Sequence, residues 1–163
     1  MKWFLVATAL ALVVAFTLWQ RNSIKTTYIN GLPSYSDLPG REFIFEHDCY
    51  IFKLNDRNTS WPLVGAHLTV PALPPEVGEQ NIGAHLPGVR ILDVVRTGAR
   101  FRIVSVRRDE SRQGTHVTFE VLLNDEAQRK YPRLDAFYLL DRATGHDAIP
   151  AVRETYAVER VKG

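Results

Sequence analysis

Seven arginines, Arg90, Arg96, Arg100, Arg102, Arg107, Arg108 and Arg112, fall within 23 residues, and only Asp93, Asp109 and Glu110 offset them. Guanidinium groups at this density suit recognition of phosphate or carboxylate, because their planar forks match those anions bidentately. Four of them, Arg100, Arg102, Arg107 and Arg108, lie on or beside one strand pattern and are the candidate ligand-binding residues. The competing reading is a solvated strand face whose charges discourage edge-to-edge aggregation. Strict alternation puts Arg100, Arg102 and Arg108 on one side of that strand and Arg107 on the other.

Nucleophile and metal chemistry find less material. Histidines stand at 47, 67, 85, 116 and 146, and Cys49 is the only cysteine. His47-Asp48-Cys49 is the one local cluster, and two donors fall short of the three or four that zinc requires. Neither a metal nor a cofactor is expected. The same pair would serve a cysteine nucleophile and its base only if the fold held them together. No intramolecular disulfide is possible with one cysteine. A phosphate-cradling glycine loop, a G-x-S-x-G elbow, an H-E-x-x-H helix and a dinucleotide fingerprint are all missing from the sequence.

Ser34 has a separate context. Ile29-Asn-Gly-Leu-Pro-Ser-Tyr-Ser-Asp-Leu-Pro-Gly40 follows an apolar N-terminal run and resembles the serine segment of type I signal peptidases. That resemblance implies a membrane-tethered hydrolase with Ser34 as nucleophile and a lysine base on a later strand. Here Tyr35 replaces the family's methionine and Arg41 stands where an aspartate is expected. Arg102, Arg107 and Arg108 occupy the region of the base, and an arginine stays protonated. A proline-rich tether is the preferred reading of this stretch.

The elements that would position these residues read as β structure. Glu42–Glu46, Asp48–Lys53, Leu63–Val70, Val89–Val95, Arg100–Arg107 and Thr115–Leu123 have strand patterns. In the last, Val117, Phe119 and Val121 share one face and His116, Thr118 and Glu120 the other. The Arg100 and Thr115 runs form a hairpin across a polar loop at 109–114. Asn124–Lys130 reads as one short helix, with a capping asparagine and Pro132 to stop it. Leu134–Leu140 and Val152–Val161 would be closing strands, with Thr144-Gly145 between them. Four prolines and three glycines mark 71–88 as a long loop. Short strands, tight turns and one helix suggest a small bent β-barrel, SH3-like as first choice and OB-like as the alternative.

Trp3 to Trp19 contains no charge, proline or glycine, and as a helix it would run roughly 25 Å. Lys2 and Arg21 flank it, and Trp3 and Trp19 stand where indoles favour the membrane interface. Bulky residues at Phe16–Gln20 argue against a signal-peptidase cleavage site. The expected organisation is an uncleaved signal-anchor at 1–20, a tether at 21–40 and a β-rich domain at 41–163. Ala7, Ala11 and Ala15 line one helix face and offer a possible homodimer contact. From residue 26 onward 17 basic residues meet 18 acidic ones, which excludes a dedicated nucleic-acid binder.

The expected function is that of a non-catalytic, single-pass protein of a bacterial-type inner membrane. Its extracytoplasmic β-domain binds or scaffolds another envelope component, a protein or an envelope polymer. The alternatives are the tethered hydrolase, through Ser34 or the His47/Cys49 pair, and a module binding anionic lipid or cell wall through the arginines.

Overall fold

The computed structural model describes residues 8, 12, 25–54, 66–69, 76–111, 114–124, 130–141 and 149–160. Ten strands follow in chain order: β1 Lys25–Tyr28, β2 Glu42–Phe45, β3 Cys49–Leu54, β4 Ala66–Thr69, β5 His85–Leu86, β6 Val89–Val95, β7 Arg100–Ser111, β8 Gly114–Leu123, β9 Leu134–Asp135 and β10 Ala157–Glu159. Single 3-10 turns occupy Glu79–Asn81 and Phe137–Leu139. The fold is mainly β, as the patterns predict.

The barrel is not closed. Hydrogen bonding runs along an open path, β10-β2-β7-β8-β9-β4-β3-β6-β5, with β1 added beside β7. β5 and β9 are two residues each and β10 three, so little backbone is left to carry pairing around the ring. The two halves of the sheet meet through a short parallel contact of β4 with β9. Where a closing strand was expected, Leu134–Leu140 is strand only at its start and then turns. Val152 makes an isolated bridge to Leu140.

Packing explains which residues form each strand. β2 buries Phe43 and Phe45, β7 buries Phe101, Ile103 and Val106, and β8 buries Phe119, Val121 and Leu123 in one core. Phe43 stacks on Phe101 with ring centroids 5.2 Å apart, and Phe45 lies 4.8 Å from the same ring. Cys49 and Ile51 of β3 reach this core too. Tyr50 and Phe52, on the other face of β3, are equally buried. There Phe52 meets Tyr138, ring centroids 5.4 Å apart, and the segment 76–81 bonds to Tyr50. Tyr50 Oη donates to the Glu76 carbonyl at 2.8 Å and accepts from Asn81 Nδ2 at 2.7 Å. Thus the described part of the proline- and glycine-rich stretch at 71–88 holds a 3-10 turn and β5, which opens a hairpin into β6.

β3 follows β2 and β7 follows β6 through tight corners, and one carboxylate joins the two. Asp48 accepts the Thr97 N–H at 2.7 Å, the Thr97 hydroxyl at 2.9 Å and an Arg96 Nη at 2.8 Å. Gly98 supplies the left-handed φ of 86° that this corner needs, and its N–H donates to the Phe45 carbonyl. The Thr97 N–H first, and then the Arg96 guanidinium, hold the Asp48 carboxyl below the usual carboxylate range. A depressed folded-state pKa contributes stability above the unfolded value, near pH 4, that is lost as pH falls through the folded value. Asp48→Ala should therefore cost about 1 kcal/mol at pH 7. The deficit should shrink at pH 3 in urea unfolding; equal deficits at both pH values would contradict this account.

Residues 25–40, read as tether, pack onto the domain. β1 pairs with the far half of β7, Tyr28 opposite Arg107, and Ile29 and Tyr35 are buried. Among the described residues no helix is long and apolar enough to cross a membrane. Of the apolar N-terminal run only Thr8 and Leu12 are described, both helical; Trp3, Trp19, Ala7, Ala11 and Ala15 lie outside the described residues. The short helix at 124–130 falls outside too, apart from its two end residues.

Candidate functional site

The arginine strand departs from simple alternation at one place. A bulge between Ile103 and Ser105 inserts Val104, so Phe101 and Ile103 before it share the core face with Val106 after it. Ser105, Arg107 and Asp109 are thereby carried to the outer face, the face of Arg100 and Arg102. Arg108 goes to the other side, half-exposed, with Glu110 at 3.7 Å. The sidedness expected for Arg107 and Arg108 is thus exchanged, because alternation carries no sign of an inserted residue.

On that outer face β1, β7, β8 and β9 gather a dense polar network. An Arg107 Nη lies 2.7 Å from Asp135 and 2.9 Å from Asp109, and the other lies 3.5 Å from Glu120. Glu120 also accepts from the Ser105 hydroxyl at 2.6 Å, the Tyr28 hydroxyl at 3.1 Å and Arg133 at 3.1 Å. Thr26 donates to Asp109 at 2.8 Å, and Thr118 donates to Asp135 at 2.7 Å. Asp109, Glu120 and Asp135 are buried, as are Ser105 and Thr118. Burial alone would push the Arg107 pKa down; Asp135 and then Asp109 more than reverse this and hold it above its ordinary value. These groups satisfy one another, so the network fastens four strands and has no evident vacancy for an incoming ligand.

Arg100 and Arg102 are in the opposite situation. Both are exposed, opposite Ile44 and Glu42 of β2. Neither makes an ion pair among the described residues. Glu42, the carboxylate opposite Arg102, lies 3.8 Å from Arg160. The half-buried Ile44 and Leu122 lie beside them. The result is a solvent-facing basic patch on a rigid sheet.

The other sequence candidates do not assemble. Ser34 is exposed in a turn. Cys49 is buried in the core, where desolvation and then the Asp48 charge push its thiol pKa well up. His47 is exposed in the bend before β3, so the pair has no shared face. His116 packs edge-on against Phe137, and His85 is exposed on β5. His67 stands opposite Asp135 in the β4–β9 register, and His146 lies outside the described residues. Among the described residues no group of three His, Cys, Asp or Glu side chains is placed to hold a metal ion. The Arg107 network itself escaped the sequence reading. Its signal was the spacing Arg107-x-Asp109 on one strand facing Thr118-x-Glu120 on the next.

Comparison with protein-family models, curated proteins and solved structures finds no match to this chain. Functional argument therefore rests on the residues alone.

Proposed function

We propose that this protein is a non-catalytic, membrane-anchored envelope protein whose β-domain binds an acidic envelope component through Arg100 and Arg102. The supporting observation is the contrast within one strand: Arg107 is consumed by three carboxylates, while Arg100 and Arg102 face solvent without an acidic partner among the described residues. Exposed guanidiniums flanked by Ile44 and Leu122 combine charge attraction with a little apolar contact, a combination found at interaction surfaces. Anchoring through the 3–19 segment, with the domain outside the cytoplasm, is the organisation the sequence favours.

The test compares full-length wild type with an Arg100→Ser/Arg102→Ser variant, both carrying a C-terminal tag. In intact spheroplasts the tag should remain with alkali-extracted membranes and be digested from outside. From detergent-solubilised membranes, wild type should retain a reproducible acidic protein or polymer whose capture falls with salt. The double variant should retain roughly tenfold less. Equal capture by both would sink the arginine reading, and a protected tag would sink the extracytoplasmic one. Salt-sensitive binding to phosphatidylglycerol vesicles, with nothing else retained, would favour the lipid-binding alternative.

A further inference from the structure

Between the turn at 34–41, strand β10 and the segment 149–152 lies a cavity of about 540 Å3. That is within the common size range of ligand pockets. Phe43, Ile103 and Phe119 of the core form its floor. Ile149, on its wall, is 42% exposed, high for a large apolar side chain in this domain.

The rim is acidic. Asp37, Glu154 and Glu159 stand against the single cation Arg41. Arg41 is already engaged, donating to the Asp37 carbonyl at 2.9 Å and lying 3.5 Å from Glu159. Asp37 and Glu154 have no cationic partner among the described residues. The cavity therefore offers an apolar interior below two carboxylates that pair with no cation among the described residues.

β10 adds a directional element. It ends the sheet order, and the Arg160 N–H donates to the Glu42 carbonyl at 2.8 Å. Hydrogen bonding alternates along an antiparallel pair. With Val158 opposite Ile44 and Glu159 opposite Phe43, the Glu159 N–H and C=O point away from β2. No described residue bonds them, which leaves them to an added strand.

We infer that this edge and cavity bind an extended basic–apolar peptide segment of a protein partner. Its backbone pairs with Glu159, one aliphatic side chain enters the cavity, and a flanking lysine or arginine meets Asp37 and Glu154. The site is on the opposite face of β2 and β7 from Arg100 and Arg102. It goes beyond the first proposal and gives the scaffold two binding faces of opposite charge.

The experiment measures anisotropy of a labelled pentapeptide, Lys-Thr-Leu-Thr-Lys, on the full chain in detergent. A Glu-flanked version and a version with central serine serve as comparisons. The Lys–Leu peptide should bind saturably, the serine version at least about fivefold more weakly, and the Glu-flanked one hardly at all. Glu154→Gln should weaken binding about threefold to tenfold. Glu159→Pro removes the outward N–H and should weaken it further than Glu159→Gln, which isolates the loss of charge. Arg100→Ser/Arg102→Ser should leave it unchanged, so failure here and failure of the first proposal are read separately. No binding of the Lys–Leu peptide up to about 1 mM overturns the inference. So does equal binding of the Glu-flanked peptide, or indifference to both Glu154→Gln and Glu159→Pro.

Discussion

Replacing Arg107 by methionine is expected to lower the stability of the domain by about 3–5 kcal/mol at pH 7, as removal of one partner of a buried ion cluster does. Arg107 is 11% exposed, and the Asp135 side chain it meets only 4%. Without the guanidinium, Asp109, Glu120 and Asp135 face one another across three strands, with Arg133 at the rim 3.1 Å from Glu120. Their hydroxyl donors remain, but hydroxyls supply no net charge. The desolvation cost, which Arg107 now offsets, falls wholly on the fold. Adding Asp135→Asn to Arg107→Met should recover part of the loss, giving a favourable coupling in a double-mutant cycle. Urea unfolding of the four proteins provides the measurement. A loss below about 1 kcal/mol would show that the cluster behaves like an ordinary solvated surface pair.

The same network marks the limit of what local pattern reveals. β6 at Val89–Val95 and β8 around Phe119 were legible, because one-face alternation and β-branched composition dominate those runs. β7 was legible as a strand but not in its sidedness, since Val104 is inserted without any residue type that signals a bulge. β1 was illegible: Lys25-Thr-Thr-Tyr28 is exposed along its whole length and shows no apolar period. What holds it is pairing with β7 and the Thr26 and Tyr28 hydroxyls on Asp109 and Glu120, partners about 80 to 90 residues away. The open path has a similar origin, for the parallel contact of Ala66–His67 with Leu134–Asp135 leaves no trace in either segment. Of the site, Arg100 and Arg102 were found by type and density alone. The acidic crevice was not, because Asp37, Glu154 and Glu159 come together only when the C-terminal strand returns to β2.

Phe101→Ala should be the most damaging single truncation in the core, at about 3–5 kcal/mol. Its ring is fully buried and lies between two other rings, nearly parallel to Phe43 and tilted by 44° against Phe45. Aromatic pairs of this kind contribute about 0.5–1.5 kcal/mol beyond the area they bury. β7 is also bonded on both sides, to β2 and β8, so neither neighbour can collapse into the cavity without breaking strand pairing. Phe101→Leu keeps most of the volume and should cost roughly half as much. The same ring bears on function through geometry. Phe101 points inward between Arg100 and Arg102, and its packing against β2 fixes the strand on which both guanidiniums are displayed. Phe101→Leu, still folded, should lose stability while partner capture stays within about threefold of wild type. Arg100→Ser/Arg102→Ser should do the reverse, losing capture at nearly unchanged stability. Thermal or urea unfolding beside the capture assay separates the two. If Arg100→Ser/Arg102→Ser kept full capture while Phe101→Leu abolished it with its unfolding midpoint barely moved, the basic patch would not be the binding surface, and the face lined by the core would have to be.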